Sequence, residues 1–198
     1  MSEDTCHVLA AAIFAAGTVI SIYFRSRANR NSPGERLPLK AEETASMLLL
    51  RLVGLSLWLG IFAYLMNPAW MAWAQTPLPA WLRLGGAALG ILSVAMLYRV
   101  FSSPGDNVTP TVLARAGHKL VTSGPYHGVR HPLHTVGFLS YLSFAILAAN
   151  CYVAVMAVAT LVLLALRVPR DEAELIARNG EAYRAYAERA GRFVPKLD

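Results

Sequence analysis

The chain has 198 residues, of which 56% are hydrophobic, and its formal net charge is +6 at pH 7. A soluble domain of this length does not carry several apolar segments of about 20 residues, so the composition excludes an ordinary soluble fold and favours one membrane-embedded domain. Most basic residues lie in the connections between apolar segments, which argues against a nucleic-acid-binding surface.

Five apolar segments have lengths that suit helices crossing a bilayer. They are Val8–Phe24, Thr44–Met66, Ala80–Phe101, Pro132–Ala149 and Tyr152–Val168. We interpret the first as a retained span, because acidic residues precede it where a signal peptide carries basic ones. We therefore expect an all-α polytopic membrane protein with five transmembrane helices and a C-terminal cytoplasmic helix.

The basic residues predict the orientation of the chain in the membrane. They cluster between the first two spans, after the third span and beyond the fifth, whereas the N-terminal tail and the 67–79 connection carry none. The positive-inside rule places the N-terminus outside and the C-terminus in the cytoplasm. Arg51 and Arg83 fall within spans but close to a helix end, and we expect their side chains to reach toward the interface.

Two glycines and two cysteines bear on packing and covalent structure, and they say nothing about catalysis. Gly86 and Gly90 in the third span have the spacing that lets membrane helices approach each other closely. The two cysteines, Cys6 and Cys151, lack metal-binding spacing. A disulfide between them stays open as an alternative.

The segment 118–134, HKLVTSGPYHGVRHPLH, concentrates ionisable and helix-breaking residues between apolar spans. Ionisable residues at membrane depth point to a functional site, and non-helical backbone is tolerated there only against protein or a wet cavity. The connection near Asn150 is short, so spans four and five form an antiparallel hairpin. We therefore expect this segment to face the polar run RVPRDEAEL at 167–175.

The polar run 167–175 has two interpretations. Pro169 and the acidic residues Asp171, Glu172 and Glu174 favour the start of a C-terminal helix, where proline and carboxylates are stabilising. Arg167 precedes Asp171 by four residues, a spacing that favours an ion pair on one helical face. A carboxylate here would equally suit the amino group or ribose of a cofactor, and the position opposite segment 118–134 favours a site.

The histidines of segment 118–134 also allow a metal-binding interpretation. His127, His131 and His134 are spaced as on one helical face, but Pro132 interrupts a helix after His131. No cysteine or nearby carboxylate completes a ligand set. We therefore expect no metal, and hydrogen bonding to a ligand or to backbone is the favoured role of these rings.

The tripeptide Gly124-Pro125-Tyr126 predicts a tight turn. A more specific interpretation is a backbone hairpin that closely approaches a ligand, with Tyr126 covering it. The chain contains neither a Walker loop nor a Rossmann fingerprint, so a conventional nucleotide-binding fold is not expected.

The motifs HKLVTSGPY and RHPL, followed by a helical hairpin, R-x-x-x-D-E, G-x-x-Y-x-x-Y and R-F-x-P, resemble the isoprenylcysteine carboxyl methyltransferase family. That family belongs with the phospholipid methyltransferase-like integral membrane enzymes. The resemblance covers about residues 98–198. It implies that S-adenosylmethionine binds on the cytoplasmic side, between the last two spans, the loop before them and the C-terminal helix. The single domain 1–198 would then comprise three spans at 8–101 and a cofactor-binding half at 102–198.

The resemblance also implies two sets of site residues. The cofactor-binding set is His118, Lys119, Leu120, Val121, Gly124, Pro125, Tyr126, Arg130, His131, Pro132, His134 and Glu172. The catalytic set is Arg167, Asp171 and Glu172, and the family pattern continues at Gly180, Tyr183 and Tyr186. The sequence departs from the family at His134, where a tyrosine is usual, and at Asp171, where a glutamate is usual. These departures leave the acceptor open more than the cofactor.

Together these features predict an integral membrane S-adenosylmethionine-dependent methyltransferase that acts on a lipophilic or small acceptor, with the lipid bilayer as its other partner. A carboxylate acceptor, as in carboxyl O-methylation of an isoprenylcysteine-like substrate, is already nucleophilic and would be oriented by Arg167. An amine or thiol acceptor requires a base, for which Glu172, Asp171 and His134 are candidates. Two alternatives are an NADPH-dependent membrane reductase of related architecture and a non-enzymatic membrane scaffold.

Overall fold

A computed structural model describes residues 2–31, 45–103 and 120–196 of the chain. These residues form helices joined by short connections, and no strand occurs among them. The helices are α1 (Glu3–Asn31), α2 (Ala45–Met66), α3 (Ala80–Ser102), α4 (Pro132–Ala148), α5 (Cys151–Asn179) and α6 (Glu181–Arg189), with short 3-10 helices at Pro68–Ala74 and Gly124–Tyr126. The predicted all-α class is confirmed.

The long helices are those of an integral membrane protein. Among the described residues, α1, α2, α3 and α5 are each long and apolar enough to cross a bilayer. The apolar helix α4 has 17 residues, which corresponds to about 26 Å of helix. That is slightly less than the hydrocarbon thickness of about 30 Å. The described structure thus contains four candidate spans and one shorter apolar helix.

A tight turn joins α4 to α5 and produces the predicted hairpin. Ala149 ends α4 in the left-handed conformation, with a φ of 47°. Asn150 then caps α5, because its side-chain oxygen accepts a hydrogen bond of 3.1 Å from the Val153 amide. The hairpin brings the start of α4 and the polar part of α5 to the same end of the bundle.

Helix α5 runs without interruption through Pro169. We expected a span ending near Val168 and a separate helix beginning at Pro169, and this expectation is wrong. A proline removes one hydrogen-bond donor, but a helix can continue past it with a bend. The break occurs at Gly180, where a φ of +56° suits glycine. Arg167 and Asp171 therefore belong to the same continuous helix as the membrane-crossing part of α5.

Helix α4 packs against three other helices, α1, α3 and α5, while α1 also packs on α3 and α2 packs on α5. Two glycines of α3 allow the close approach of α4. A Cβ added at Gly86 would lie 2.7 Å from Ile146 Cγ2, and one at Gly90 would lie 2.5 Å from Ser143 Oγ. The Ser143 hydroxyl donates a hydrogen bond of 2.8 Å to the Gly86 carbonyl. The predicted close packing at these glycines is confirmed.

The bundle has a closed half and an open half. The closed half, at the end that holds Glu3 and the α4–α5 turn, is filled by an apolar core that includes Leu57, Ile61, Tyr64, Phe144 and Leu147. The open half, at the end that holds Arg167, contains a cavity of about 700 Å³. The hollow part of the molecule is therefore the part that carries the polar segments.

Arg83 is enclosed in the closed half, which corrects the expectation that its side chain reaches the interface. Only 6% of its side chain is exposed, and its guanidinium pairs with Glu3 of α1. Its Nε and Nη2 also donate to the Leu147 carbonyl at 3.1 Å and 2.7 Å. These partners are distant in sequence, so spacing alone did not reveal them. Arg51, in contrast, is exposed and lies at the cavity wall.

The two cysteines are both free thiols. Cys6 is buried in α1, whereas Cys151 is exposed at the start of α5. The disulfide that the sequence left open is therefore not formed.

Candidate active site

The loop before α4 is held in place by the C-terminal segment of the chain. The Gly191 amide donates to the Gly128 carbonyl at 2.9 Å, and the Gly191 carbonyl accepts from the Arg130 amide at 2.8 Å. A Cβ at Gly191 would lie 1.9 Å from the Val194 carbonyl oxygen, so this turn requires glycine. These backbone hydrogen bonds thus fix the loop before α4 against the C-terminal segment.

Glu172 of α5 joins the loop, α5 and the C-terminal segment through charge. Its Oε1 lies 2.9 Å from Arg130 Nη1 and 3.4 Å from His131 Nε2. Its Oε2 accepts from Arg192 Nη2 at 3.1 Å and from Arg192 Nε at 3.3 Å. Burial lowers the pKa of His131, and the Glu172 carboxylate opposes this effect. Both oxygens of Glu172 are therefore engaged by neighbouring side chains.

Arg167 and Asp171 lie one turn apart on α5 and form the predicted ion pair. Arg167 Nε lies 3.1 Å from Asp171 Oδ1. The Asp171 side chain is 7% exposed and the Arg167 side chain 32% exposed. Both residues line the cavity. The pair therefore presents a guanidinium and a largely buried carboxylate to any ligand that enters.

His131 and His134 form a stacked pair at the start of α4. Their ring centroids are 5.4 Å apart and their planes differ by 4°. His134 Nδ1 is buried and finds no hydrogen-bond partner among the described residues. A buried polar atom of this kind usually requires a partner, which here would be water or a ligand. In the described part of the chain, no group of three metal-ligating side chains comes together.

The turn Gly124-Pro125-Tyr126 docks on the end of α3. Gly124 has a φ of +60°, and a Cβ there would lie 2.5 Å from Ser103 Oγ. The Tyr126 carbonyl accepts a hydrogen bond of 2.5 Å from the Tyr186 hydroxyl of α6. The turn therefore places the Tyr126 ring at the cavity wall, where the sequence predicted that it would cover a ligand.

Three tyrosines of the loop and α6 belong to the aromatic lining of the cavity. Tyr126, Tyr183 and Tyr186 all line it, and the rings of Tyr183 and Tyr186 are 5.9 Å apart in an edge-to-face arrangement. Burial raises the pKa of Tyr126 and of Tyr186 to about 12 and also raises the pKa of Tyr183. The phenols stay protonated at neutral pH, so they offer ring faces and hydroxyl donors but no general base.

The cavity of about 700 Å³ has a polar end and an apolar arm, and its size suits a small-molecule site. The polar end is lined by Tyr126, Arg130, His131, His134, Arg167, Asp171, Asn179, Tyr183 and Tyr186. The apolar arm continues into the bundle past Phe14, Leu50, Trp58, Leu97, Phe138, Tyr141, Phe144, Ala157, Leu161 and Leu164. The hydroxyl residues Thr18, Ser140 and Thr160 also line the cavity. The cavity thus joins a polar pocket to a mostly apolar channel.

The structure brings most of the predicted site residues to this cavity. Those that line it are Leu120, Val121, Tyr126, Arg130, His131, Pro132, His134, Arg167 and Asp171. Gly124, Pro125 and Glu172 are not part of the lining, but Gly124 packs on Ser103 and Glu172 pairs with the lining residue Arg130. His118 and Lys119 lie outside the described residues. The roles assigned to all these residues stay predictions.

Two features of the site escaped the sequence analysis. Asn179, two turns beyond Asp171 on α5, lines the polar end, and the sequence analysis did not single it out. Phe193 lies near both histidine rings, at 6.2 Å and 6.4 Å between centroids, and its carbonyl accepts from Thr135 Oγ1 at 2.7 Å. The R-F-x-P motif was a visible signal for the second feature, although sequence alone gave it no partner.

Comparison with known proteins shows which part of the chain is similar to a known family. Residues 86–177 match the model of the isoprenylcysteine carboxyl methyltransferase family. The chain is also 30% identical over 86 residues to the nickel-cobalt-cadmium resistance protein NccN of Alcaligenes xylosoxydans xylosoxydans. That alignment covers 43% of this chain and 40% of the relative, so the chain spans less than half of the relative's length. The family match includes the loop, the α4–α5 hairpin and the Arg167–Asp171 pair.

Proposed function

We propose that this isoprenylcysteine carboxyl methyltransferase-like membrane protein transfers a methyl group from S-adenosylmethionine to an amphiphilic acceptor. The observation that carries the proposal is the convergence of Tyr126, His134 and Asp171 on one end of a cavity that continues into the bundle. A polar pocket joined to an apolar arm suits a reaction between a polar donor and an acceptor with a hydrocarbon chain.

The polar end offers a partner for each part of the donor. The aromatic wall at Tyr126 suits the adenine ring. The buried Asp171 carboxylate suits an ammonium group or the ribose hydroxyls, and the unpartnered Nδ1 of His134 suits a further polar contact. When bound, S-adenosylmethionine supplies an activated methyl group, since attack by an acceptor lone pair leaves its sulfur as a neutral thioether.

The guanidinium of Arg167 favours an anionic acceptor over an amine. Arg167 lines the cavity and its side chain is 32% exposed, while its Nε pairs with Asp171. A carboxylate acceptor is already nucleophilic, so the site need not remove a proton from it. Arg167 would orient such a carboxylate through its planar guanidinium while Asp171 holds the arginine in place.

Glu172 serves in this proposal as a positioning residue. Its carboxylate is engaged by Arg130, His131 and Arg192, so its contribution is to fix the loop against α5. Loss of these three contacts should loosen the loop against α5 and so change the cavity wall. Glu172 would thus affect both donor binding and transfer without contacting the reacting atoms.

The proposed topology has five crossings, with the N-terminus outside and the C-terminus in the cytoplasm. Basic residues at the ends of α1, α3 and α5 support this orientation. Helix α4 provides the fifth crossing, which its short length permits if the polar loop enters the membrane surface. The polar end of the cavity would then face the compartment that contains soluble donor.

The proposal is tested with the full-length protein in lipid nanodiscs. Titration calorimetry should detect S-adenosylmethionine binding, and labelled methyl groups should move from this donor to a lipid of a membrane extract. Asp171→Asn should weaken donor binding about tenfold, the effect of losing one charged hydrogen bond. Binding of NADPH instead of S-adenosylmethionine would favour a membrane reductase. Binding of neither cofactor would favour a non-enzymatic scaffold. Either of these two results would overturn the proposal.

A further inference from the structure

The apolar arm of the cavity ends inside the bundle at an aromatic floor, which we define as Phe14, Trp58 and Phe144. The Phe14 ring lies 5.0 Å from the Trp58 ring and 5.9 Å from the Phe144 ring, in edge-to-face contacts. Phe144 belongs to the core that fills the closed half, and Phe14 packs against that core. Packed side chains therefore lie behind Phe14 and Phe144 of the floor.

Two helices give the depth of the arm. Ten residues separate His134 from Phe144 on α4, and ten separate Arg167 from Ala157 on α5. All four residues line the cavity. With a rise of about 1.5 Å per helical residue, the lining extends about 15 Å along α4 from His134 to Phe144 of the floor, and about 15 Å along α5 from Arg167 to Ala157.

The wall of the arm is open at Gly137, one turn from His134. A Cβ at Gly137 would meet no atom within 4 Å, although the residue lines the cavity. The packed glycines of α3 differ, since a Cβ at Gly86 would lie 2.7 Å from a side-chain atom. Gly137 therefore leaves space for a ligand, whereas Gly86 leaves space for a neighbouring helix.

We propose that the aromatic floor sets the length of the hydrocarbon chain that this protein accepts, at about 15 Å. The inference rests on the proposed function for the identity of the ligand as the methyl acceptor, but chain binding does not require methyl transfer. Measured against the free ligand in water, each buried methylene should raise affinity about fourfold until the chain meets the floor. A longer chain must displace packed rings or leave methylenes outside the arm, so affinity stops rising.

The floor can be probed through the fluorescence of Trp58. The other three tryptophans, Trp70, Trp73 and Trp81, are exposed and can be replaced by phenylalanine. The probes are straight-chain alkyl carboxylates of increasing length, each with bromine at the chain end, added to the full-length protein in nanodiscs. Bromine quenches tryptophan on contact, so quenching should peak at the chain whose end reaches the floor. Quenching that keeps rising with chain length and reaches no maximum would overturn the inference.

Variants of Gly137 provide a matched control. Gly137→Leu places a side chain in the arm and should move the quenching maximum to shorter chains, whereas Gly137→Ala should leave it unchanged. Phe14→Leu, which opens the floor, should move the maximum to longer chains and serves if Gly137→Leu does not fold. An unchanged maximum in the folded variants would contradict the floor as the length limit.

The two proposals fail in different ways. A quenching maximum without methyl transfer to any lipid would support the aromatic floor as the length limit and contradict the proposed methyltransferase activity. Methyl transfer that is independent of acceptor chain length would support the methyltransferase activity and contradict the aromatic floor as the length limit.

Discussion

Arg130 Nη1 lies 2.9 Å from Glu172 Oε1, and this ion pair joins the loop before α4 to the polar part of α5. The side chains are only 13% and 9% exposed. Removing one member of a buried pair leaves an uncompensated charge, which costs more than the pair itself contributes. The Arg130–Glu172 pair is therefore a point at which the cavity wall is sensitive to substitution.

Replacing Glu172 with glutamine should destabilise the protein by about 3 kcal/mol, since Arg130 loses its charged partner in a buried setting. Thermal unfolding in nanodiscs measures this, and donor affinity should fall in the same variant. Glu181→Gln is the matched control, because Glu181 also pairs with an arginine but is exposed. The side chains of Glu181 and Arg184 are 82% and 59% exposed. An exposed pair contributes about 0.5 kcal/mol at most. Equal losses in the two variants would contradict the positioning role of Glu172.

Arg167→Lys should lower kcat about tenfold or more while the donor Kd stays within about twofold, because lysine keeps the charge but loses the planar fork that orients a carboxylate. The measurements are transfer rate at saturating donor and calorimetric donor affinity. Arg184→Lys, on the exposed face of α6, should change neither. If the donor Kd rises and kcat is unchanged, Arg167 belongs to the donor site and not to the acceptor site.

Burial lowers the pKa of the His131 imidazole below its usual value of 6.5 and so favours the neutral ring in the folded protein. The stabilising contribution is complete above the unfolded-state pKa and is lost as the pH falls through the folded-state pKa. We therefore expect the Tm in nanodiscs to fall below about pH 6.5. The decrease should be shallower in His131→Gln, which has no group to protonate there. If Tm falls equally with decreasing pH in both proteins, groups other than His131 determine the acid sensitivity.

The sequence was sufficient for the elements whose signal is local. Apolar length revealed the long helices, and the four-residue spacing of Arg167 and Asp171 predicted their ion pair. The short connection at Asn150 predicted the hairpin and with it the meeting of the two polar segments. These inferences need only helix geometry and chain connectivity.

The parts that sequence missed depend on tertiary contacts. Pro169 is a helix-start signal taken alone, but α5 continues through it because residues on both sides are held by packing and ion pairs. Arg83 looked like an interfacial side chain because its partners, Glu3 and the Leu147 carbonyl, are distant in sequence. Glu172 was expected to face the segment that holds Arg130 and His131, but nothing in the sequence indicated its contact with Arg192. Local patterns carry no information about such partners.

Alanine substitutions at two glycines with left-handed backbone allow the cost of backbone strain to be distinguished from the cost of a steric contact. Gly124 and Gly180 have φ values of +60° and +56°, so an alanine at either position carries strain of about 1 to 3 kcal/mol. Only Gly124 also lies against a neighbour, because a Cβ there would be 2.5 Å from Ser103 Oγ, whereas a Cβ at Gly180 would meet nothing within 4 Å.

Gly124→Ala should therefore displace the turn that carries Tyr126 and weaken donor binding beyond the effect of Gly180→Ala. Ser103→Gly in the Gly124→Ala background removes the contacting hydroxyl and should restore part of the lost affinity, although the backbone strain persists. Calorimetric donor affinity, with thermal unfolding as the check on folding, distinguishes the two costs. If Ser103→Gly restores nothing and both alanine variants bind the donor equally, the docking of the turn on α3 does not position Tyr126.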